Sequence, residues 1–370
     1  MFCHSPRFRN KAARRGRRSR FKWRDELGRL GPVKPLTARV RVACLAAAAA
    51  CGRGGNLDTP DEAAPATIAV ADGDAQQGVV GAPLAGPLVV RVSDESGHPA
   101  QDARVSFHAT AGGGTVDPAE MITDANGRAS TMGRLGTTAG GWEARAVVTT
   151  RDGALLEAIF HAVAAPAGPD VLVVAEGDGQ TAEAGRILDD SLAVRVLDRF
   201  GNPVPGVLLA WQPQEDGSVS PVETATGAAG IAKAERRLGP GAGIQHTVVS
   251  IAGADKPSLT FTHTARKGAP AALLYVSGDG QSGVIGQELG APVVVKVNDR
   301  SGNPLEAIEV SWSVASGGGT VAPATVSTSA DGTASAAWTI GDLLGRQTLT
   351  ASVPGLATLI FEATALDGGT

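Results

Sequence analysis

The stretch DRFGNPVPG at residues 198–206 decides how this chain is read, because near copies of it stand at 94–102 (DESGHPAQD) and 299–307 (DRSGNPLEA). In each copy an Asp can accept hydrogen bonds from backbone N–H groups, a Gly can adopt a positive φ, and a Pro fixes φ where the next strand begins. The residues between these three vary, which indicates a structural turn rather than a binding site in triplicate. The recurring turn residues are Asp94, Gly97, Pro99, Asp198, Gly201, Pro203, Asp299, Gly302 and Pro304.

Other landmarks repeat in register with the turn. GDAQ begins at 73 and GDGQ at 177 and 278, while GGGTV at 112–116 returns at 317–321. Self-similarity at a fixed period of about 100 residues is typical of tandem domains. We therefore predict a leader at 1–51, a linker at 52–65, and immunoglobulin-like domains at 66–166, 167–267 and 268–366.

Hydrophobic residues within each repeat alternate with polar ones. Val194 and Val196 flank Arg195, for example, so the valines face a core and the cation faces water. Short alternating strands separated by frequent turns predict an all-β chain of three antiparallel β-sandwiches arranged as a rod. One large aromatic residue per repeat follows the turn at a constant distance and is predicted to fill the core: Phe107, Trp211 and Trp312.

Charge and cysteine are distributed unevenly along the chain. The net charge is −4, yet residues 1–55 hold 15 basic and 2 acidic residues, against 18 and 35 in the remainder. The acidic body offers no basic face for nucleic acid, so we predict no nucleic-acid partner. Cys3, Cys44 and Cys51 all precede the repeats, so no disulfide can stabilise the repeats themselves.

The ordered motifs resemble the bacterial immunoglobulin-like domain of the invasin and intimin type, often called group one. The resemblance covers about residues 66–366 and runs through GDGQ, VxV(R/K)VxD, DxxGNP, GGGTV and a DGxA turn. It implies surface stalks that project a binding domain away from the bacterium. The chain shows no C-terminal lectin-like domain with its cysteine pair, so the resemblance carries over the stalk and not the receptor-binding tip.

The segment VRVACLAAAAAC at 40–51 is a short apolar run that ends at a cysteine. This shape is typical of a secretory signal with lipoprotein processing, and it makes Cys51 the predicted lipidated residue, although Ala48 stands where a Leu is usual. An Ala-rich helix with an incidental cysteine is the alternative. Residues 1–39 fit a misplaced start, with synthesis beginning at Val33 or Val40, a long n-region, or a basic nucleic-acid-binding arm.

No catalytic motif stands out in the sequence. His98 occupies the turn slot of Asn202 and Asn303, and no H-E-x-x-H, G-x-S-x-G or P-loop pattern occurs. We predict no cofactor, although the repeated Asp and Gly of GDGQ leave a calcium ion between domains open. Trp142 and Trp338 have no aromatic counterpart in the other repeats, so they are the candidates for a sugar platform, with core packing as the competing interpretation.

The sequence therefore predicts a non-enzymatic, exported protein at the outer membrane or cell surface, lipid-anchored, with an immunoglobulin-like stalk in cell adhesion or as a spacer. Its partner would be an unidentified protein or glycan at the cell surface. The first alternative is a polysaccharide- or glycan-binding surface protein on the same scaffold. A weaker one is an intracellular protein with a basic nucleic-acid-binding arm.

Overall fold

The computed structural model describes residues 64–254 and 257–369. These ranges contain 27 β-strands and no helix, which confirms the predicted all-β class. No helix in the described ranges could span a membrane. The chain divides into the units Met1–Leu57 and Asp58–Thr370, and the strands of the described ranges belong to the second. The predicted leader and Cys51 lie outside the described residues.

The strands form three pairs of sheets, each pair made from nine consecutive strands that we call the first, second and third domains. The first domain contains β1 (Thr67–Asp72), β2 (Gln76–Val79), β3 (Leu88–Ser93), β4 (Arg104–Ala111), β5 (Thr115–Asp117), β6 (Glu120–Ile122), β7 (Arg128–Arg134), β8 (Gly140–Thr149) and β9 (Leu155–Ala165).

The second domain repeats this order of strands. It contains β10 (Pro169–Glu176), β11 (Thr181–Glu183), β12 (Leu192–Asp198), β13 (Leu208–Pro213), β14 (Gly217–Ser220), β15 (Glu223–Ala225), β16 (Ile231–Leu238), β17 (Gly243–Ile251) and β18 (Ser258–Arg266). The third domain contains β19 (Pro270–Ser277), β20 (Gln281–Val284), β21 (Val293–Asp299), β22 (Glu309–Ser316), β23 (Gly319–Ala322), β24 (Thr325–Ser327), β25 (Thr333–Ile340), β26 (Gly345–Ser352) and β27 (Leu359–Leu366).

Each domain packs a four-stranded sheet on a five-stranded sheet. In the first domain the orders are β1-β3-β7-β5 and β2-β9-β8-β4-β6, and the other two domains follow the same plan. The edge strand β2 runs parallel to β9, whereas the remaining pairs in both sheets are antiparallel. This is the double-sheet arrangement of an immunoglobulin-like sandwich.

The cores lie between the two sheets of each domain, and the alternation of side chains decides which residues enter them. In β12, Val194 and Val196 are fully buried while Arg195 is exposed. Because successive side chains of a strand point to opposite faces, the valines pack inward without burying the charge. The aromatic residues that follow the turn, Phe107, Trp211 and Trp312, are buried within the three core clusters.

Candidate functional site

The repeated turn is held together by the carboxylate of its first residue. Oδ1 of Asp198 accepts hydrogen bonds from the backbone N–H groups of Phe200, at 2.8 Å, and Asn202, at 2.9 Å. Gly201 sits between them with φ +85°, a region that an L-side chain rarely enters. The equivalent bonds recur from Ser96 and His98 to Asp94, and from Ser301 and Asn303 to Asp299.

The turn of the second domain also reaches the first domain. The carboxamide of Asn202 donates from Nδ2 to the carbonyl oxygen of Thr137, at 2.8 Å, and accepts at Oδ1 from the N–H of Ala139, at 2.9 Å. The same Nδ2 donates to Oδ2 of Asp198, at 2.9 Å, which fixes the rotamer of the amide. A side chain in the turn thus pairs with one donor and one acceptor of the preceding domain.

The junction between the second and third domains is built from the same atoms. Asn303 donates to the carbonyl oxygen of Pro240, at 2.9 Å, accepts from the N–H of Ala242, at 2.9 Å, and donates to Asp299, at 2.9 Å. Two junctions with matching hydrogen bonds indicate a defined connection between neighbouring domains rather than an incidental contact. We call this arrangement the junction clasp.

The acid of the second and third turns further secures the linker that enters its own domain. Oδ2 of Asp198 accepts from the N–H of Ala167, at 2.9 Å, and Oδ2 of Asp299 accepts from Gly268, at 2.8 Å. Burial alone would raise the pKa of both carboxyls, but the hydrogen bonds from the Asn side chain, the turn amides and the linker amide together lower the pKa. Asp198 and Asp299 therefore make these hydrogen bonds as ionised carboxylates.

A second contact supports each clasp. A Cβ added to Gly81 would lie 3.5 Å from the ring of Phe200, at ordinary contact distance, so the turn of the second domain lies close to this glycine. At the next junction Oγ of Ser301 donates to the carbonyl oxygen of Ala184, at 2.7 Å, and a Cβ on Gly185 would lie 3.0 Å from that Oγ. Both contacts place a turn side chain against a glycine of the preceding domain.

The turn of the first domain differs at the residue that makes the clasp. His98 stands where the other turns have asparagine, its side chain is 76% exposed, and its Nδ1 lies 3.6 Å from Oδ2 of Asp94. The sequence interpretation treated this position as an ordinary turn residue. The structure separates the two roles, because the turn forms with either residue but the clasp hydrogen bonds to the preceding domain are made by asparagine.

Replacing Gly201 by Val is expected to destabilise the second domain by about 1–3 kcal/mol, because a β-branched residue is strained at this positive φ. No atom lies within 4 Å of the position where its Cβ would stand, so strain and not a clash is the cause. Urea unfolding, read for each domain by pulsed hydrogen exchange and mass spectrometry, measures the change.

Gly168→Val is the matched control for this substitution. Gly168 is exposed, has no positive φ in the range that glycine favours, and is equally open around its Cβ. An effect of Gly201→Val no larger than that of Gly168→Val would contradict the assigned role of the turn.

The GDxQ motif at the start of each repeat is explained by hydrogen bonds. Oδ1 of Asp178 accepts from the N–H of Thr262, at 2.8 Å, and the side chain of Gln180 pairs with both backbone groups of Asp190 and with the carbonyl of Gly177. The first and third repeats show the same bonds. The Asp oxygens that suggested calcium are thus bonded to backbone amides, and the described ranges contain no cluster of three or more metal-ligating side chains.

Trp142 and Trp338 occupy one layer of the core, reached from opposite sheets. Trp142 on β8 is 2% exposed and Trp338 on β25 is 0% exposed, so neither ring face can stack on a sugar. The residue on β7 in register with Trp338 is Gly133, and a Cβ there would lie 3.0 Å from the ring of Trp142. The first domain therefore fills this layer with the indole of Trp142 from one sheet, and the third domain fills it with the indole of Trp338 from the other sheet. One indole per layer is enough, which explains why the two residues have no aromatic equivalents.

The second domain fills this layer with polar residues instead. Arg236 and His263 are 0% exposed and Gln245 is 3% exposed, at positions held in the third domain by Trp338, Ala363 and Gln347. The guanidinium of Arg236 donates to the carbonyl oxygens of Asp216, Ser218 and Arg237 and to Oε1 of Gln245. Its Nε has no partner, and burial lowers the pKa of the group. This cluster was not predicted from the sequence. The feature that could have revealed it is an arginine and a histidine at inward-facing positions of two strands.

His263 is fully buried in this polar cluster. Nε2 lies 3.2 Å from Oγ1 of Thr247, its ring stacks on Phe261 at 6.5 Å between centroids, and Nδ1 has no partner. Burial lowers the pKa of His263 to about 4, and the positive charge of Arg236 acts in the same direction. The imidazole is consequently neutral in the folded domain at neutral pH.

Comparison with known proteins finds solved structures of similar fold. No family model and no curated protein matches the chain. Among solved structures it is similar to FdeC, an Escherichia coli adhesin, with 18% identity, 80% of this chain and 96% of that chain covered, and a TM-score of 0.46. InvD of Yersinia pseudotuberculosis gives 17% identity, 80% and 96% coverage and a TM-score of 0.43.

Invasin, described as a bacterial integrin-binding protein, gives 19% identity, 81% coverage of this chain and 60% of that chain, and a TM-score of 0.37. Domains of intimin are also similar. At these identities and TM-scores the likeness concerns the fold and says nothing about a binding partner. In fold, the chain is three tandem immunoglobulin-like sandwiches like those adhesins.

Proposed function

We propose that this chain is a non-enzymatic, exported surface protein whose three immunoglobulin-like domains act as a stalk in adhesion or as a spacer. The junction clasp carries the proposal, because a stalk holds its tip at a distance only when neighbouring domains are fixed to each other. The adhesin character of the similar structures supports the surface location. No H-E-x-x-H, G-x-S-x-G or P-loop motif, and no group of metal-ligating side chains in the described ranges, points to a reaction instead.

Removing both clasps is the direct test of the stalk. Asn202→Ala with Asn303→Ala deletes two hydrogen bonds at each junction, and we expect each junction to be weakened by about 1–3 kcal/mol. The N–H groups of Ala139 and Ala242 should then lose protection from hydrogen exchange, and small-angle scattering should show a broader distribution of interdomain distances. Each domain should remain folded.

His98→Ala is the matched control, since it alters the same turn position without touching a clasp. Unchanged scattering and exchange in the double asparagine variant would mean that the clasps do not order the domains, and the stalk proposal would lose its main support.

The membrane attachment at Cys51 is a separate part of the proposal, supported by the apolar run that precedes this residue. We expect the wild-type chain to partition with membranes into detergent and Cys51→Ala to release it, because each buried methylene of an acyl chain contributes about 0.8 kcal/mol to membrane binding. Cys44→Ala is the control and should leave fractionation unchanged. The intact mass of the mature N-terminus identifies the start, the cleavage site and the lipid together. Unaltered fractionation of Cys51→Ala would exclude this anchor.

A glycan-binding surface remains the alternative function. Its candidate rings, Trp142 and Trp338, are buried, so no described observation favours it over the stalk. A glycan array with the wild-type chain separates the two functions, since a stalk alone predicts no bound glycan.

A further inference from the structure

One loop of the third domain has no neighbouring domain bound to it in the described ranges, whereas the equivalent loops of the first and second domains each bind the following domain. We define the distal loop as residues 136–139 in the first domain, 239–242 in the second and 341–344 in the third. It connects consecutive strands that lie in opposite sheets of each domain: β7 and β8, β16 and β17, and β25 and β26. In the first two domains a carbonyl and an N–H group of this loop bind the Asn side chain of the following turn.

The distal loop of the third domain has the same internal support as that of the second. Gln245 accepts from the N–H of Gly239 and donates to the carbonyls of Gly239 and Gly241. Gln347 makes the equivalent three bonds with Gly341 and Leu343, and it is fully buried. The loop that receives an asparagine in the second domain is therefore preformed in the third.

The groups that would receive an asparagine are also in place. By position, the carbonyl of Asp342 and the N–H of Leu344 correspond to the groups of Pro240 and Ala242 that bind Asn303. Gly286 corresponds to Gly81 and Gly185, and it has no atom within 4 Å of a Cβ position, whereas its two counterparts face a turn side chain. Within the described ranges the third domain thus presents a complete but unoccupied half of the clasp.

The side chains of this loop differ from those of the other two domains in one respect. Leu343 and Leu344 are 65% and 61% exposed, where the first domain has Thr138 and Ala139 and the second has Gly241 and Ala242. Scattered exposed leucines are ordinary on protein surfaces. Two adjacent ones at the rim of a preformed hydrogen-bonding site add apolar area for a partner to cover.

We propose that the distal loop of the third domain, residues 341–344 with Gly286, is a docking surface for a further immunoglobulin-like domain that presents a D-x-x-G-N-P turn. The two internal junctions show which group this loop binds. A second copy of the chain is the wrong partner, because its first domain offers His98 in place of the asparagine, and its other two turns are engaged in clasps. The inference goes beyond the proposed function, since it requires neither export nor the anchor.

The test uses a variant of the chain itself as the probe. His98→Asn gives the first domain a D-x-x-G-N-P turn, and Leu344→Pro in the same probe removes the N–H group that would let probe molecules bind one another. The wild-type chain, immobilised through its N-terminal segment, is the receptor. We expect measurable binding of this probe to the receptor. A probe that retains His98 should bind at least about tenfold more weakly, because it cannot form the two hydrogen bonds of the asparagine.

Two receptor variants separate the backbone from the side chains. Leu344→Pro should abolish binding by removing the donor, while Leu343→Ser with Leu344→Ser keeps that donor and should weaken binding through lost apolar contact. No binding at receptor and probe concentrations up to about 1 mM, the effective concentration that tethered domains reach, would overturn the proposal.

Two further outcomes concern the probe and the wild-type chain. Equal binding by probes with and without the His98→Asn change would overturn the proposal as well. Self-association of the wild-type chain would also overturn it. Binding of phosphatidylcholine vesicles that depends on the leucines, without binding of the probe, would assign the loop to lipid and overturn it too.

Discussion

Replacing Trp338 by Ala is expected to destabilise the third domain by about 3–5 kcal/mol, the usual cost of deleting a buried aromatic side chain. Trp338 is 0% exposed and belongs to the core cluster that contains Trp312 and Phe361. The loss combines the transfer free energy of the indole with the cavity left behind, because the two sheets around it cannot collapse fully. The indole Nε1 has no hydrogen-bond partner, so the loss comes from packing and no hydrogen bond is broken.

The first domain supplies a specific rescue for this loss. There the same layer is filled from the other sheet, by Trp142 opposite Gly133. Trp338→Gly leaves a cavity, and Gln347→Trp alone places a second indole in a filled layer, so each single change should destabilise the third domain. Combined, they reproduce the arrangement of the first domain, and we expect the double variant to be at least about 1 kcal/mol more stable than the sum of the single changes predicts.

Domain-resolved urea unfolding measures both effects. Thr339→Ala, on the same strand, is a control for changes that leave the indole layer intact. A cost below about 1 kcal/mol for Trp338→Ala, or strict additivity of the pair, would show that the layer is not packed as the structure has it.

The sequence predicts the strands and the turns well, because both depend on neighbouring residues. The valines around Arg195 alternate with a period of two, and Gly201 has a local reason to recur. The inward position of Phe107, Trp211 and Trp312 follows from the same alternation. These features need no knowledge of what lies across the sandwich or beyond the domain.

The clasp and the polar layer were not predicted, since both depend on residues distant in the sequence. Asn202 is 65 residues from Thr137 in the chain, and the local sequence of the turn gives no sign that the Asn202 side chain binds another domain. One signal was present in the repeats, because asparagine occupies this slot only in the turns that follow another repeat. From the sequence alone, Arg236 is expected to point outward like other strand cations. Only its equivalence to Trp338 of the third domain shows that its position faces the core.

Lowering the pH from 7.5 to 4.5 is expected to destabilise the second domain more than the other two, by about 2–3 kcal/mol. The pKa of His263 is lowered to about 4 in the folded domain, against about 6.5 in the unfolded chain. Between these values the unfolded state binds a proton that the folded state does not, so the free energy of unfolding falls as the pH falls. The effect begins near pH 6.5, is complete near pH 4, and totals about 3 kcal/mol from the difference of the two pKa values.

The surroundings of His263 explain why the folded state rejects the proton. The ring is fully buried, and Arg236 already places one poorly solvated cation beside it. Asp178 and Glu215 favour the protonated form, but their contributions are smaller than those of burial and of Arg236. In the first and third domains this position is alanine, as Ala162 and Ala363, so those domains lack the proton-linked term.

His263→Ala separates this mechanism from acid effects shared by all three domains. The variant should be less stable than the wild type at pH 7.5, where the neutral ring packs against Phe261, yet the extra pH dependence of the second domain should disappear. His161→Ala, an exposed histidine of the first domain, is the matched control and should leave the pH profile of the second domain as it was. Urea unfolding at several pH values, with pulsed exchange labelling at one fixed pH, gives the profile of each domain. A second domain that lost no more stability than its neighbours between pH 7.5 and 4.5 would mean that His263 is protonated without cost, and that the polar layer is open to water rather than sealed.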